Sequence, residues 1–312
     1  MSIIDAAYST AVSGADIVVT VGDGSITLKD VATLSTVNIT GVKKNPLSIV
    51  GTSGADSINN TLSDATIQTF GGNDSIRNFG ASSIIDGSDT IHNEGWNSTV
   101  DGGTGNDTIY NISYYSKIDG GDGNDSIDSG GWNNTITGGN GSDTISYIGF
   151  YAMIDGGAGD DSISGSFWDS SVVGGDGNDS IYINEGSTVK IDGGADNDFI
   201  HNNAINSTVD AGADDDTVEN FGANSFIDGG DGSDSINNSA INTTLYGGAG
   251  DDSIINYGDN VLIDGGADSD TINNLGSNNL LIGGLGADSI DNGGFYNTVD
   301  GGADSDTIRG CW

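Results

Sequence analysis

Residues 101–109 read DGGTGNDTI, residues 119–127 read DGGDGNDSI and residues 155–163 read DGGAGDDSI. The three segments share a glycine pair, a third glycine, a later aspartate and a closing isoleucine, and they start 18 residues, or a multiple of 18, apart. The Gly-, Asp- and Asn-rich part favours a tight turn, because these residues tolerate positive φ. The β-branched residue that follows favours a short strand. The segments therefore predict a coil of stacked turns and short strands.

The aspartate near the end of each segment marks a register that runs through most of the chain. Successive members are 18 residues apart, except for steps of 15 (Asp74 to Asp89) and 19 (Asp179 to Asp198). Such a period predicts a solenoid in which each turn packs only against its neighbours. We call these residues the rung aspartates: Asp56, Asp74, Asp89, Asp107, Asp125, Asp143, Asp161, Asp179, Asp198, Asp216, Asp234, Asp252, Asp270, Asp288 and Asp306.

The repeated segment resembles the GGxGxDxUx nonapeptide of the repeat-in-toxin (RTX) family, in which U is a large aliphatic residue. Clean copies are Gly102–Tyr110, Gly120–Asp128, Gly156–Ser164, Gly174–Tyr182, Gly229–Asn237 and Gly247–Ile255. In that family each nonapeptide forms a calcium-binding turn and a short strand, and two nonapeptides complete one turn of a flattened right-handed coil. The resemblance implies an all-β fold: a right-handed parallel β-roll, or β-solenoid, over residues 50–308, with about 14–15 turns of 18 residues.

Aliphatic residues at a fixed place in each half-turn are the expected core. Each repeat buries only one or two side chains, so stability must come from stacking and from bound ions. One sheet is predicted to contain Ile109, Ile127, Ile145, Ile163 and Ile181, opposite Val100, Ile118, Ile136, Ile154 and Val172.

The charge of the chain predicts bound cations. The formal net charge is −39, from 46 acidic and seven basic residues, and a compact fold with that charge repels itself. Turns stacked about 4.8 Å apart bring successive carboxylates close together, and a divalent cation between them removes the repulsion. Calcium accepts both carboxylate and carbonyl oxygens, whereas magnesium prefers a stricter octahedron with retained waters.

The RTX resemblance assigns the ligands of this calcium ladder, which we expect to hold several Ca²⁺ ions along the GGxGxD edge. In four loops aspartate replaces the third glycine, and we expect Asp196, Asp214, Asp268 and Asp304 to adopt positive φ there. The loops near Asp74 and Asp89 are degraded or shortened. The implied ligands are Asp107, Asp125, Asp143, Asp161, Asp179, Asp198, Asp216, Asp234, Asp252, Asp270, Asp288 and Asp306, with Gly103, Gly105, Gly121, Gly123, Gly157, Gly159, Gly175 and Gly177.

The alternate half-turns lack the GGxGxD core, which predicts a ladder on one side of the coil only. Asparagine recurs there in two files, and stacked amides can hydrogen-bond from turn to turn. The first file is Asn93, Asn111, Asn202, Asn220, Asn238, Asn256, Asn274 and Asn292, and the second is Asn97, Asn133, Asn206, Asn224, Asn242, Asn260 and Asn278.

Aromatic residues occupy one position in five consecutive half-turns: Trp96, Tyr114, Trp132, Phe150 and Trp168. In one interpretation the rings stack on each other and close the edge of the coil. In the other they form a stripe that stacks on sugar rings or docks a partner.

No catalytic constellation is predicted. His92 and His201 occupy equivalent places six turns apart, too far to act together. The ladder contains many carboxylate pairs, but calcium would occupy them. The weak candidates for a glycosidase acid or base are Asp169, beside Trp168, and Glu94, near Trp96.

The ends of the chain differ from the repeats. Residues 1–49 are predicted to be a β-hairpin cap, with strands at Ile17–Val21 and Ser25–Leu28. Residues 309–312 are interpreted as an uncapped tail, so the last coil could pair end to end with another chain. Residues 1–10 lack the features of a signal peptide, and no apolar run is long enough to span a membrane.

Two functional classes remain. One is a non-catalytic, secreted bacterial calcium-binding module that folds on binding calcium, exported by type I secretion as the resemblance implies. The other is a carbohydrate-active protein that binds or cleaves a polysaccharide at the aromatic edge, with calcium structural. Nucleic acid is excluded as a partner, because the chain offers no basic surface to phosphates.

Overall fold

A computed structural model describes residues 2–3, 17–21, 24–28, 37–39, 47–52, 54–86 and 90–310. It confirms the fold class: the described residues form an all-β parallel β-solenoid of about 14 turns with a period of about 18 residues. The chain divides into two compact units, residues 1–149 and residues 150–312, and each is described by itself.

Each unit contains two parallel sheets, and strands of the two sheets alternate along the chain. In the first unit, the sheet that follows the rung aspartates contains Ser57–Asn60, Ser75–Asn78, Thr90–Asn93, Thr108–Asn111 and Ser126–Trp132. The opposite sheet contains Leu47–Val50, Ala65–Gln68, Ile84–Asp86, Thr99–Asp101, Lys117–Asp122 and Thr135–Asn140. The strand Thr144–Phe150 ends one residue into the second unit.

The second unit repeats this arrangement over nine turns. Its first sheet contains Ser162–Trp168, Ser180–Ser187, Phe199–Asn202, Thr217–Asn220, Ser235–Asn238, Ser253–Asn256, Thr271–Asn274, Ser289–Asn292 and Thr307–Gly310. The other contains Met153–Ala158, Ser171–Asp176, Lys190–Ala195, Thr208–Ala213, Phe226–Asp231, Thr244–Ala249, Leu262–Ala267, Leu280–Leu285 and Thr298–Ala303.

The register places each residue beside its equivalent in the next turn. Ile109 pairs with Ile127 in one sheet, and Ile118 pairs with Ile136 in the other. The predicted core is confirmed, because all ten of these aliphatic positions are at most 2% exposed. Stacking of identical β-branched residues therefore forms the interior of each unit.

The two irregular steps of the period also appear in the register. Thr90 pairs with Ser75, so the 15-residue step is taken up within the turn between these strands. The 19-residue step was predicted as a bulge near residues 185–190. The register instead shifts between Gly165 and Ser166, which face Ile183 and Glu185, so the extra residue is Asn184.

The first asparagine file forms a buried ladder, as predicted. In the second unit Nδ2 of Asn202, Asn220, Asn238, Asn256 and Asn274 donates to Oδ1 of the asparagine one turn later, at 2.7–3.0 Å. The first unit holds a shorter ladder from Asn60 through Asn78 and Asn93 to Asn111. An amide suits this position because it donates and accepts at once.

The second asparagine file has an additional role that the sequence analysis missed. Its seven members all adopt φ of 55–59°, the left-handed region that asparagine tolerates better than most residues. Some of their exposed side chains also hydrogen-bond between turns, as from Asn224 Nδ2 to Asn206 Oδ1 at 3.2 Å. The file is therefore set first by the turn conformation.

In residues 1–49 the described backbone includes an antiparallel pair, Ile17–Val21 with Gly24–Leu28. Ile17–Val21 also pairs antiparallel with Leu47–Val50, and Val37–Ile39 pairs with the strand Ser57–Asn60. Ser2–Ile3 lies beside Val37–Ile39. That residues 1–49 act as a separate cap, and that residues 309–312 are a tail, stay predictions.

Replacing Asn238 by alanine should destabilise the coil strongly. Its side chain bonds to Asn220, Asn256, Thr243 and the backbone of Ala240, so the Asn238→Ala change leaves several buried groups unsatisfied. We expect a loss of about 3 kcal/mol or more in the free energy of unfolding, measured by urea denaturation of the calcium-loaded protein.

The matched control is Asn237→Ala, next to it on the outward face, where Oδ1 has no hydrogen-bond partner. That variant should lose less than about 1 kcal/mol. Equal losses for the two variants would contradict a stabilising role for the ladder.

Candidate functional site

The rung aspartates lie beneath the glycine-rich loops. Their side chains are buried from Asp107 to Asp288, at 1–3% exposure. Each Oδ1 accepts a hydrogen bond from the backbone N–H of the rung aspartate one turn earlier, as from Asp198 to Asp216 Oδ1 at 2.7 Å. This contact fixes one carboxylate oxygen and leaves the other facing the interior of the loop.

The second oxygen faces the first glycine of its own loop. For Asp125, Asp179, Asp198, Asp216, Asp234, Asp252, Asp270 and Asp288, the buried Oδ2 has no hydrogen-bond partner. A side chain on Gly247 would collide with Asp252 Oδ2 and with the carbonyl oxygen of Gly265, one turn later. The same pair of oxygens surrounds Gly174, Gly229, Gly265 and Gly283. Carboxylate and carbonyl oxygens thus converge where no side chain can enter.

Burial raises the pKa of these carboxyls, because the low-dielectric interior disfavours the charged form. The pKa of Asp198 is raised to about 8, with the nearby Asp179 and Asp216 carboxylates adding to the effect of burial. Burial likewise raises the pKa to about 7 for Asp216, Asp252 and Asp270, and to about 6 for Asp179 and Asp234. The rungs therefore strain against their own charge near neutral pH.

Exposed acidic and amide residues of the same loops behave in the opposite way. Asp160 Oδ1 accepts a hydrogen bond from Asn178 N–H at 3.0 Å, and this bond lowers the pKa of the Asp160 carboxyl. Asp215 Oδ1 accepts in the same way from Ser233 N–H at 2.8 Å. These residues cap the next loop and are already satisfied without a cation.

The loop geometry accommodates the glycines and aspartates named from the sequence. All eight predicted glycine ligands have φ between 97° and 137°. The four aspartates that replace the third glycine adopt φ of 71–78°, as expected. Sequence reasoning missed the first glycine of each pair, whose carbonyl faces the rung carboxylate. The signal was the pairing of glycines itself, since positive φ alone explains only the second.

These residues fit calcium by the chemistry of their donors. The rungs offer unpartnered carboxylate oxygens beside backbone carbonyls, which are the hard oxygens that Ca²⁺ prefers. Within the described residues no three His, Cys, Asp or Glu side chains form a group that could hold a metal. A cation in the ladder would therefore take one or two carboxylates and complete its shell with carbonyls and water.

The aromatic edge divides into two different arrangements. In the second unit Phe150 and Trp168 stack on each other, with ring centroids 5.0 Å apart and planes at 24°. In the first unit Tyr114, Tyr115 and Trp132 line a shallow depression of about 350 Å³. Trp96 is exposed but does not line it.

The weak catalytic candidates lie in different units and have ordinary structural roles. Glu94 forms an exposed ion pair with Arg77 at 3.8 Å. Asp169 has a φ of 51°, the turn conformation that asparagine adopts elsewhere. His201 Nδ1 lies 3.0 Å from Glu219 Oε2 on the outer face of its sheet.

Comparison with known proteins agrees with the geometry of the loops. The family model described as the RTX calcium-binding nonapeptide repeat matches residues 86–110, 119–147, 155–188 and 238–272. No curated protein matches the chain. In the described part of the chain, no helix is long and apolar enough to cross a membrane. The chain is thus built from RTX calcium-binding nonapeptide repeats, stacked as a parallel β-solenoid.

Proposed function

We propose that this chain is an extracellular, calcium-responsive β-roll module that folds when calcium binds. The observation that carries the proposal is the file of buried carboxylates whose pKa values are raised by burial and by each other. Without cations, ionised rungs oppose folding; with cations, the binding free energy becomes folding free energy.

The proposed ions form one ladder along the loops that follow the glycine pairs. Asp125 and the rungs from Asp179 to Asp288 are its best-supported members, because their Oδ2 atoms are buried and unpartnered. The loops of the opposite edge are filled by the asparagine ladder and supply no comparable file. The loop at Asp89 lies outside the described residues.

Such a module suits passage between compartments of different calcium concentration. In low calcium, charge repulsion would keep the chain extended, and calcium outside the cell would drive folding. Secretion of the type I class is proposed because RTX repeats are typical of secreted bacterial proteins. The module is proposed as an appendage rather than an enzyme.

A second copy of the chain is a further proposed partner. The strand Thr307–Gly310 is exposed along its length, and Ile308 is 37% exposed, against 1% for Ile290 one turn earlier. An exposed edge of this kind pairs readily with another strand. Sedimentation velocity in calcium should show dimers that an Ile308→Lys change abolishes; a monomer throughout would reject this pairing.

The folding proposal predicts a calcium-specific transition. Chelator-treated protein should have the far-ultraviolet circular dichroism of a disordered chain, and calcium should convert it cooperatively to β structure. Magnesium at equal concentration should not, because it prefers a strict octahedron with retained waters. A chain that is fully β-folded in chelator would contradict calcium-driven folding.

The ladder proposal predicts opposite effects from neutralising Asp216 in the two states. Asp216→Asn removes a buried group whose pKa is raised to about 7, so it should make the calcium-free coil easier to form. The same change removes a proposed ligand, so calorimetric titration should show fewer or weaker calcium sites.

The matched control is Asp215→Asn, which removes the same charge from the exposed neighbour and keeps its Oδ1 acceptor for Ser233. Calcium binding by this variant should stay within about twofold of the parent protein, because an exposed charge is screened by solvent. Equal losses of calcium binding in both variants would indicate a general charge effect instead of a ladder.

A further inference from the structure

The aromatic residues of the first unit form a surface that the calcium ladder does not explain. Tyr114, Tyr115 and Trp132 are 50–59% exposed and together line the shallow depression. Its volume of about 350 Å³ lies at the lower end of the range for small-ligand sites, roughly 300–1,000 Å³.

Tyr115 is held in a backbone conformation that tyrosine disfavours. Its φ is 59°, at the turn position where the neighbouring turns place Asn97 and Asn133, both with φ of 56°. Asparagine tolerates the left-handed region, whereas a bulky side chain there is strained. Retention of tyrosine at this position indicates a use for its ring.

The other rings are held in place by the same turns. A side chain on Gly131, which has a φ of 113°, would come within 2.8 Å of Tyr114 Cδ1, so the ring rests against the bare glycine. Tyr115 N–H donates to the Trp132 carbonyl at 3.0 Å, and Asn97 N–H donates to the Tyr114 carbonyl at 2.8 Å. Aromatic groups held in this way lose little conformational entropy when they bind a ligand.

The charge and chemistry of the surface select the class of ligand. A chain with a net charge of −39 repels polyanions. The negative faces of exposed rings suit the C–H face of a sugar, and tyrosine hydroxyls and the exposed Asn133 amide suit its hydroxyl groups. We propose that Tyr114, Tyr115 and Trp132 form a binding site for a neutral pyranose ring of a polysaccharide.

This site requires the folded coil but no calcium ligand of the ladder. Its failure is therefore distinguishable from failure of the proposed calcium function, because folding is checked first by circular dichroism. Phe150 and Trp168 stack on each other instead of lining an open surface, so the site is confined to the first unit.

The test is calorimetric titration of the calcium-loaded protein with cellohexaose, laminarihexaose and maltohexaose, and with an alginate hexasaccharide as the anionic probe. We expect saturable binding of at least one neutral hexasaccharide and none of alginate. Trp132→Ala and Tyr115→Asn should each weaken that binding about tenfold or more, as loss of a central aromatic contact does.

The Tyr115→Asn variant guards against misfolding, since it restores the residue that the turn prefers and should unfold at the same temperature or higher. The matched control is Trp96→Ala, an exposed tryptophan of the same edge outside the depression, which should bind normally. Absence of binding to all three neutral sugars, unchanged binding by Trp132→Ala and Tyr115→Asn, or preference for alginate would each overturn the proposal.

Discussion

Every residue of the coil lies beside its own equivalent in the next turn, and this in-register stacking is the constraint on which the rest depends. Parallel strands about 4.8 Å apart bring like side chains into contact. Isoleucine above isoleucine is favourable, as the buried files of both sheets show. A polar residue is favourable only if it can both donate to its copy and accept from it.

The two polar files of the interior differ by this criterion. Asparagine meets it, because Nδ2 of each residue reaches Oδ1 of the next while the backbone two residues later holds the amide in orientation, as at Asn238 and Ala240. Aspartate does not meet it, because an ionised carboxylate only accepts. One oxygen is satisfied by a backbone N–H, and the other is left against a carbonyl. The asparagine edge can thus close by itself, while the aspartate edge requires protons or cations.

Much of this arrangement could be predicted from the sequence, because a strict period fixes which residues stack. The core isoleucines and the positive φ of Asp196 follow from spacing and residue type alone. The period does not reveal what lies beside a residue within its own turn. For that reason the carbonyl of the first glycine was missed, and the bulge was placed after Asn184 instead of at it. The aromatic file also looked uniform in the sequence, yet Phe150 and Trp168 cover each other while Tyr115 and Trp132 face a depression.

The asparagine ladder has a direction, since each amide donates toward the later turn and accepts from the earlier one. Every interior turn therefore presents to its successor the same donors and acceptors that it receives. Tandem duplication or loss of one whole turn in the gene would create no new kind of contact, so copy number is not fixed by packing as it is in a globular core. A single inserted residue is less easily accommodated. The one at Asn184 lies beside Ile183, between the two ladders, where no amide chain is interrupted.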